Sequence, residues 1–424
     1  MRTVALVGFG TVGQAVAKIL CEGSYDHLRL THICNRNVDR KKVDWIPTDV
    51  IWTDDIAEVI DSDASIMIEL IGGLDPAFDW IRRSLEAGKS VITANKQVIA
   101  RSGGLLLNLA RENKCQLLFE AAVAGGIPVI KGVREGLAGD QLFRILGILN
   151  GTCNYILTRM ETSGTSFAAA LTEAQNLGYA EADPTADVDG IDAQAKLAIL
   201  SAVGLHREID FTQIPLGTIQ PIEPIDFIYA RRLDCTIRQV SRAELIDAND
   251  RCVRASVQPM LVPLVSTLAR VEGSQNVVVV EGTFGGETAF SGYGAGGNPT
   301  AVSVVSDLES IARRVNDASV DWHTITKADP VEREFVEPHY VRFTVTDRPG
   351  IIASLAGVFS RHGINVESIL QEPGCPKDEL PFVVTLDSCS TVAIKEALSE
   401  IASFDFHARQ PLWMPIAPKG ERRP

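Results

Sequence analysis

The stretch TVALVGFGTVGQAVAKIL, residues 3–20, decides the fold of the first part of the chain. An apolar run typical of a strand leads into a glycine turn, and small apolar residues at helical spacing follow it. The glycines fit the pattern GxGxxG in the context that it requires, a strand before and a helix after. Such a turn lets the backbone approach a pyrophosphate at the N-terminus of the helix. We therefore expect a dinucleotide to bind here; the alternative is a plain glycine-rich turn. The residues expected to contact it are Gly8, Gly10, Thr11, Val12 and Gly13.

The end of the second predicted strand, LRLTHIC (28–34), indicates which dinucleotide binds. An acidic residue about 20 positions after the glycines would hold the ribose hydroxyls of NAD. This chain instead has Arg36, followed by Arg40, Lys41 and Lys42. The basic residues favour NADP over NAD, unless they form only an exposed surface loop.

Strands and helices continue to alternate up to residue 123, which is typical of an α/β fold with a doubly wound parallel sheet of the Rossmann type. The strand in KSVITANK (89–96) ends at Thr93, and Lys96 follows directly. In such sheets ligands bind at the carboxyl ends of the strands. Both residues are therefore expected beside the cofactor, although a lysine that opens a helix is also often only solvated.

The character of the sequence changes twice more. Between residues 135 and 290, β-branched strands among helices predict a mixed α+β domain for substrate binding or dimerisation. A second glycine loop, SGYGAGGNPT (291–300), precedes a helix and could reach the cofactor through Gly294 and Gly296. The last 85 or so residues show the order βαββα closed by a short strand, which predicts a ferredoxin-like sandwich. The predicted domains are residues 1–134, completed by 291–325, then 135–290 and 339–424.

Composition limits the functions that are possible. The 424 residues carry a net charge of -14, which argues against nucleic-acid binding, since phosphates require clustered lysine and arginine. No apolar run is long enough for a membrane span, and MRTVALVGFG enters a strand without a signal peptide, so we expect a cytoplasmic protein. The eight cysteines are scattered and are expected to be reduced thiols, with Cys153 a packed residue rather than a nucleophile.

A lysine after an acidic stretch is the strongest catalytic candidate. GYAEADPTADVDGIDAQAK (178–196) ends at Lys196, and the residues that follow are apolar on all sides, so we expect a buried helix. Asp192 lies four positions earlier, on the same helix face. A buried ammonium group beside a carboxylate can stabilise a developing oxyanion and deliver a proton. The alternative is an exposed ion pair.

Four segments together resemble the homoserine dehydrogenase family: the first glycine loop, TANK (93–96), NGTCNYIL (150–157) and AQNLGYAEADPTADVDGIDAQAK (174–196). The resemblance has one departure, Cys153, where the family usually has threonine. The last domain resembles an ACT domain through its ligand-loop motif, Asp347 to Gly350, and through Asn365. The positions of the family signature are filled by Ala174, Gly178, Tyr179, Ala180, Asp183, Pro184, Asp187, Gly190, Asp192 and Lys196.

The resemblance implies the interconversion of L-homoserine and L-aspartate 4-semialdehyde with NADP or NAD, in threonine and methionine biosynthesis. It implies that Lys196 is the acid/base residue, that Glu181 and Asp192 hold the substrate, and that Lys96 assists. Gly178 and the second glycine loop would lie at the nicotinamide. It further implies a homodimer or tetramer, inhibition by threonine through the ACT domain, and a monovalent cation such as Na⁺. The residues implied for the cation are Glu120, Val123, Gly125 and Ile127.

Two other functions are possible for a chain with these features. An amino-acid-sensing binding protein on a disused Rossmann scaffold would tolerate loss of Lys196 or Asp192, yet both are present in register. An aspartate-semialdehyde dehydrogenase would need a cysteine nucleophile with a histidine base. The seven histidines offer no such partner to any cysteine. The enzyme of the homoserine dehydrogenase type is the favoured interpretation.

The variant Arg36→Asp tests the choice of cofactor. If Arg36 binds the 2′-phosphate, the substitution removes an attractive charge and adds a repulsive one, so NADP should weaken far more than NAD. The measurement is KM for each cofactor. An unchanged ratio of the two KM values would show that the basic loop is only surface.

Overall fold

The computed structural model describes residues 1–23, 25–246, 252–313 and 325–418. The amino-terminal part is built on a six-stranded sheet in which every pair of neighbouring strands is parallel. Its strands are β1 (Arg2–Val7), β2 (Leu28–Cys34), β3 (Ile51–Thr53), β4 (Ile66–Glu69), β5 (Ser90–Thr93) and β6 (Leu117–Leu118), in the order β3-β2-β1-β4-β5-β6. The helices are α1 (Thr11–Glu22), α2 (Val38–Lys41), α3 (Ile56–Asp61), α4 (Ala77–Glu86), α5 (Lys96–Glu112) and α6 (Val129–Lys131).

The second part contains a five-stranded antiparallel sheet covered by helices. Its order is β10-β9-β7-β11-β12. The strands are β7 (Leu142–Ile148), β8 (Arg207–Glu208), β9 (Cys235–Leu245), β10 (Val253–Pro263), β11 (Gln275–Gly282), β12 (Gly286–Tyr293) and β13 (Thr326–Lys327), of which β8 and β13 form a small separate pair. The helices are α7 (Gly151–Ser163), α8 (Phe167–Asn176), α9 (Thr185–Val188), α10 (Ile191–Gly204), α11 (Pro224–Arg232) and α12 (Gly297–Ala312).

Side chains alternate across the parallel sheet, so each face buries its own core. Leu6 and Ile68 belong to a cluster that includes Val304 and Leu308 of α12. Helix α12 therefore returns to this sheet and packs beside α1. On the opposite face, residues of β1, β4 and β5 pack with α3, α4 and α5.

Helix α10 lies at the junction between the two sheets. It packs against α5 on one side and against β7 and β9 on the other. Its residues from Leu197 to Gly204 are all buried, which confirms the predicted buried helix. The helix is apolar on all sides because it is enclosed on all sides.

The last part is a four-stranded antiparallel sheet with two helices on one face. It consists of β14 (Val336–Val345), α13 (Ile351–Arg361), β15 (Val366–Gln371), β16 (Leu380–Ser390), α14 (Thr391–Ile401) and β17 (His407–Pro415), in the strand order β15-β16-β14-β17. This is the predicted ferredoxin-like sandwich. The last strand, expected to be short, has nine residues, because it pairs along β14 and also touches β10.

The free face of the last sheet packs on α11 of the second part. Tyr340 and Leu412 share a buried cluster with Phe227. At its edge, Asp226 is fully buried and accepts hydrogen bonds from the Tyr340 hydroxyl at 2.7 Å and from Arg342 Nε at 2.8 Å. Burial raises the pKa of Asp226, and the Arg342 charge opposes that rise. The last sheet is thus held against α11 by apolar packing and by the buried ion pair between Asp226 and Arg342.

The three sheets confirm the predicted fold class. The predicted return segment, 291–325, includes residues 314–324, which lie outside the described residues, as do residues 419–424 of the last predicted domain. Within the described ranges, none of the helices has the length and apolar character that crossing a membrane requires.

Candidate functional site

The strand order of the parallel sheet reverses between β1 and β4, and sheets of this kind bind ligands in a crevice at that point. Gly8 ends β1 with φ of +101°, and a Cβ on it would lie 2.7 Å from the Leu70 carbonyl oxygen. At Gly13 a Cβ would lie 2.0 Å from the carbonyl oxygen of Gly8. Both positions therefore require glycine: Gly8 for the tight turn after β1, and Gly13 for the close packing of α1 against that turn. A Cβ on Gly10 would meet nothing within 4 Å, so its backbone faces open space.

The second glycine loop closes against the first. A Cβ on Gly297 would lie 3.0 Å from Thr11 Cγ2, and one on Gly125 would lie 2.5 Å from the Gly294 carbonyl oxygen. Gly296, with φ of +116°, precedes α12. The structure thus brings the predicted residues of both loops to the same crevice wall. Gly294 lies against Gly125, Gly296 directly precedes α12, and Val12 is in the first turn of α1.

Lys196 extends from α10 toward the end of β7. Its side chain is 11% exposed, and Nζ donates to Asp192 Oδ2 at 2.7 Å and to the Leu149 carbonyl oxygen at 2.8 Å. The predicted pair of residues four apart is therefore formed and sheltered. Two of the three N–H donors of the ammonium group are used by these partners.

Asp192 is shared between two lysines. Lys96, from the start of α5, places Nζ 3.0 Å from Oδ1 of Asp192. Burial alone would raise the pKa of Asp192, but the ammonium groups of Lys196 and Lys96 outweigh it and hold that pKa well below its usual range. In turn the Asp192 charge, against the effect of burial, raises the pKa of Lys96. One carboxylate thereby joins the parallel sheet to the helix of the second part.

Asn150 organises the acidic groups. Its Nδ2 donates to Asp187 Oδ1 at 2.7 Å and to Asp192 Oδ2 at 3.0 Å, while its Oδ1 accepts from the amide of Cys153 at 2.8 Å and caps α7. Burial raises the pKa of Asp187, and the hydrogen bond from Asn150 opposes that rise. Asp187, a position of the family signature, therefore belongs to this network. Cys153 is fully buried, as expected for a packed residue.

Glu181 and Gly178 lie on the exposed loop before α9. Gly178 has φ of +76°. The negative charge of Glu181 contributes to the raised pKa of Lys96, after the contributions of Asp192 and Asp187. Glu181 is therefore near the lysines but forms no hydrogen bond to them within the described part of the chain.

Two predicted cofactor residues lie on either side of the crevice. Arg36 is exposed just after β2, next to Asn35, whose Oδ1 accepts from the Phe9 amide at 2.9 Å. Thr93 is fully buried at the end of β5, and its hydroxyl donates to Glu69 Oε2 at 2.5 Å. The Thr93 side chain is thus directed beneath the crevice floor rather than into the crevice.

The residues predicted for a cation lie on the segment after β6. Glu120 is buried, and its two carboxylate oxygens accept from the amides of Ile130 at 2.8 Å and Lys131 at 2.9 Å. Burial, aided by the charge of Asp307, raises the pKa of Glu120 to about 7. Val123 and Ile127 are buried on the same segment, and Gly125 has φ of +45°. The Glu120 carboxylate is therefore already engaged by main-chain amides of α6.

Comparisons with known proteins show the family to which the chain belongs. A family model for homoserine dehydrogenase matches residues 128–308, one for the homoserine dehydrogenase NAD binding domain matches 8–120, and one for the ACT domain matches 339–405. A homoserine dehydrogenase of Mycobacterium tuberculosis is 40% identical over 418 residues, which cover 95% of this chain and 94% of the relative. The chain belongs to the homoserine dehydrogenase family.

Solved homoserine dehydrogenases have the same fold. The enzyme from Thiobacillus denitrificans is 30% identical, with a TM-score of 0.89 and 99% of both chains covered. A hyperthermophilic archaeal homoserine dehydrogenase, solved in complex with NADPH, is 28% identical with a TM-score of 0.63 over 74% of this chain and 98% of its own. As a homoserine dehydrogenase, the chain is an oxidoreductase that acts on a CH–OH group of a small-molecule substrate and uses a nicotinamide cofactor.

Sequence reasoning missed two polar residues of the homoserine dehydrogenase site. Asn150 was visible as an asparagine directly before Gly-Thr at a strand-to-helix junction, a position suited to an N-cap. Glu69 was visible as one acid within the apolar strand IMIE, residues 66–69. Their partners are 37 and 24 positions away along the chain and could not be identified from local pattern.

The variant Asp192→Asn should reduce stability in a pH-dependent way. At about pH 7 it leaves the Lys196 ammonium without its counter-charge, and losing one partner of a buried pair costs about 3 kcal/mol. The wild-type carboxylate has a lower pKa folded than the 3.8 of the unfolded chain, so its contribution is present above 3.8 and is lost as the pH falls through the folded value. The measurement is the free energy of unfolding in urea across pH.

The matched control is Asp183→Asn, which changes an exposed carboxylate on the loop before α9 whose partner is Thr185. It should leave the free energy of unfolding near the wild-type value. Equal stability of Asp192→Asn and wild type at about pH 7 would contradict the role of the shared carboxylate.

Proposed function

We propose that the protein interconverts L-homoserine and L-aspartate 4-semialdehyde with NADP as the preferred cofactor, at the junction of the parallel sheet and α10. The observation that carries the proposal is the convergence of Lys96 and Lys196 on Asp192 beside the two glycine loops. A sheltered pair of ammonium groups next to a dinucleotide crevice is suited to a reaction in which a carbonyl oxygen gains or loses negative charge.

Lys196 is the proposed acid/base residue. Asp192 and the Leu149 carbonyl hold its Nζ, so the third N–H is left for a substrate oxygen. During reduction the aldehyde oxygen takes a proton from this group, and during oxidation the neutral amine accepts the proton of the substrate hydroxyl. Lys96, the second cation, adds positive charge where negative charge develops on that oxygen. This is the form of stabilisation that counts most in a sheltered site.

Substrate binding is assigned to Glu181 and Asp192. Oδ2 of Asp192 already accepts from Lys196 and Asn150, whereas Oδ1 accepts from Lys96. A carboxylate offers about four acceptor positions, so one on Oδ1 remains for the α-ammonium group of the substrate. The exposed carboxylate of Glu181 is the second proposed partner of that ammonium group.

The crevice fits a dinucleotide. The open space at Gly10, the start of α1 at Thr11 and the second glycine loop leave room for a pyrophosphate on a helix N-terminus. The exposed Arg36 at the end of β2 supports NADP, and a related archaeal enzyme was solved with NADPH. When bound, the nicotinamide ring donates or accepts the hydride. Gly178 and Gly296 are proposed to border the ring, and Thr93 to support the floor beneath it.

A monovalent cation such as Na⁺ is proposed on the segment after β6. The described residues contain no group of three His, Cys, Asp or Glu side chains arranged for a metal. Because the Glu120 carboxylate is occupied by amides, the ligands would be main-chain carbonyl oxygens. Carbonyl oxygens are suitable ligands for a hard monovalent ion such as Na⁺. The proposed set is Glu120, Val123, Gly125 and Ile127.

The last sheet is proposed to bind threonine, which would inhibit the enzyme. The protein is proposed to be a cytoplasmic homo-oligomer that acts in threonine and methionine biosynthesis. Gly350, with φ of +96°, begins α13, whose first amides are suited to the carboxylate of an amino acid. Asp347 lies beside this start, where its amide donates to the Lys377 carbonyl at 2.7 Å. The ligand-loop motif therefore lies at a helix N-terminus with a carboxylate near it.

A continuous series of contacts supports coupling between that sheet and the site. Arg342 of β14 donates to the Pro221 carbonyl at 2.9 Å. Two residues earlier, the Ile219 amide donates to the Val188 carbonyl at 3.1 Å, directly before the turn that begins α10. A shift of β14 would thus reach the helix that carries Asp192. These contacts are the proposed route of the coupling.

The variant Lys196→Ala tests the proposed acid/base role. Removing the ammonium group should abolish measurable turnover, because the proton donor is lost. The fall in kcat expected from that loss is about 10²- to 10⁴-fold. NADPH binding should remain nearly intact, since Lys196 does not line the glycine loops. The measurements are aspartate-semialdehyde-dependent NADPH oxidation and NADPH fluorescence titration. A kcat like that of the wild type would refute the assignment.

Threonine inhibition is tested by titrating threonine against the initial rate, with valine as the control amino acid. We expect inhibition by threonine at millimolar concentrations. The variant Arg342→Lys, which keeps the charge but loses the forked hydrogen bonds, should have near-normal rates and weaker inhibition. No inhibition of the wild type at millimolar threonine would leave the last sheet as an oligomerisation element.

A further inference from the structure

Glu69 is a buried acid that none of the steps above uses. It is the last residue of β4 and has no exposed surface. Its Oε1 accepts from the amides of Ile71 at 2.8 Å and Gly72 at 3.2 Å, and its Oε2 accepts from the Thr93 hydroxyl. The two amides belong to the loop that follows β4, and Thr93 is the last residue of β5.

Hydrogen bonds continue from Thr93 to Asn95, the residue before Lys96. The Asn95 amide donates to Thr93 Oγ1 at 2.9 Å, and Asn95 Nδ2 donates to the Gly73 carbonyl at 2.6 Å. Asn95 also caps α5, because its Oδ1 accepts from the Val98 amide at 3.2 Å. The next residue is Lys96. The loops after β4 and β5 are therefore tied together directly beside the residue that reaches Asp192.

The loop after β4 also forms part of the cofactor crevice. Its first residues, Leu70 and Ile71, lie against Gly8, where a Cβ would meet the Leu70 carbonyl oxygen at 2.7 Å and Ile71 Cγ2 at 3.1 Å. Movement of this loop would displace the glycine turn. Glu69 is thus connected to both the glycine loop and Lys96.

An acid at this position is costly without a positional role. Burial raises the pKa of Glu69, and its hydrogen-bond partners only oppose that rise. No lysine, arginine or histidine of the described ranges forms an ion pair with it. Apolar side chains fill the other positions of β4 and would avoid the cost of burying a carboxyl group. The gain that offsets the cost of burying Glu69 must therefore come from the loops that Glu69 holds in place.

We propose that Glu69 is a positioning residue that fixes the loop at Ile71 and Gly72 relative to Thr93, and so sets both the wall of the cofactor crevice and the placement of Lys96. The proposal rests on the cofactor crevice described under the proposed function. It assigns Glu69 no contact with substrate or cofactor.

The test compares Glu69→Gln, Thr93→Val and Thr93→Ser with the wild-type enzyme. Glutamine can keep its one oxygen on the two amides, but its NH2 group only donates, so the Thr93 hydroxyl loses the acceptor of its own proton. Valine removes the hydroxyl, whereas serine keeps it. Asp140→Asn is the matched control, since Asp140 also accepts from two loop amides, those of Phe284 and Gly285, at the end of β12 remote from Gly294.

Four quantities are measured for each variant: kcat and KM, NADPH affinity by fluorescence titration without substrate, hydrogen exchange of the amides at residues 71 and 72, and the thermal midpoint. We expect Glu69→Gln and Thr93→Val to lose about 10²-fold in kcat/KM, the loss that a misplacement of about 1 Å causes. They should also bind NADPH more weakly and exchange these amides faster. Thr93→Ser should recover most of the loss, and Asp140→Asn should resemble the wild type.

Wild-type NADPH oxidation with aspartate semialdehyde is measured first, so failure of the proposed function is recognised separately. With an active wild type, unchanged NADPH affinity and kcat/KM in Glu69→Gln would overturn the inference. Equal losses in Glu69→Gln and Asp140→Asn would also overturn it, because they would indicate general destabilisation. Failure of serine to recover what valine loses would contradict the part assigned to the Thr93 hydroxyl.

Discussion

The carboxylate of Asp192, placed between two ammonium groups, is the interaction on which the site depends. One cation comes from the start of α5 in the parallel sheet and the other from α10 in the second part. Two lysines this close would repel each other, and each would lose charge on burial. The shared anion, in the first turn of α10, makes the arrangement stable and joins the two parts at the proposed reaction site.

Buried polar residues at strand ends support this centre. Asn150 follows β7 and holds two carboxylates, whereas Glu69 ends β4 and holds two loops. Both use their oxygen atoms to satisfy main-chain amides that would otherwise be left without partners at the end of a strand or the start of a helix. These hydrogen bonds hold the loops at the strand ends in place.

The last sheet uses the same principle at a domain contact. Asp226 and Arg342 form a buried pair whose remaining hydrogen-bonding capacity is used by Tyr340 and Pro221. A buried pair of this kind adds little net stability but penalises any other docking geometry, since either charge would then be left unpaired. Movement within the last sheet would therefore reach the second part through defined contacts.

Sequence by itself determined the local features of this homoserine dehydrogenase: the glycine turn, the alternation that produces a parallel sheet, and the pairing of Asp192 with Lys196. These depend on neighbours a few positions apart, which backbone geometry brings together wherever the helix or turn forms. Only the tertiary structure decided that Lys96 meets Asp192, that Asn150 and Glu69 hold the loops, and that β17 is long. Those contacts join residues far apart in the chain, and packing of whole elements sets their distances.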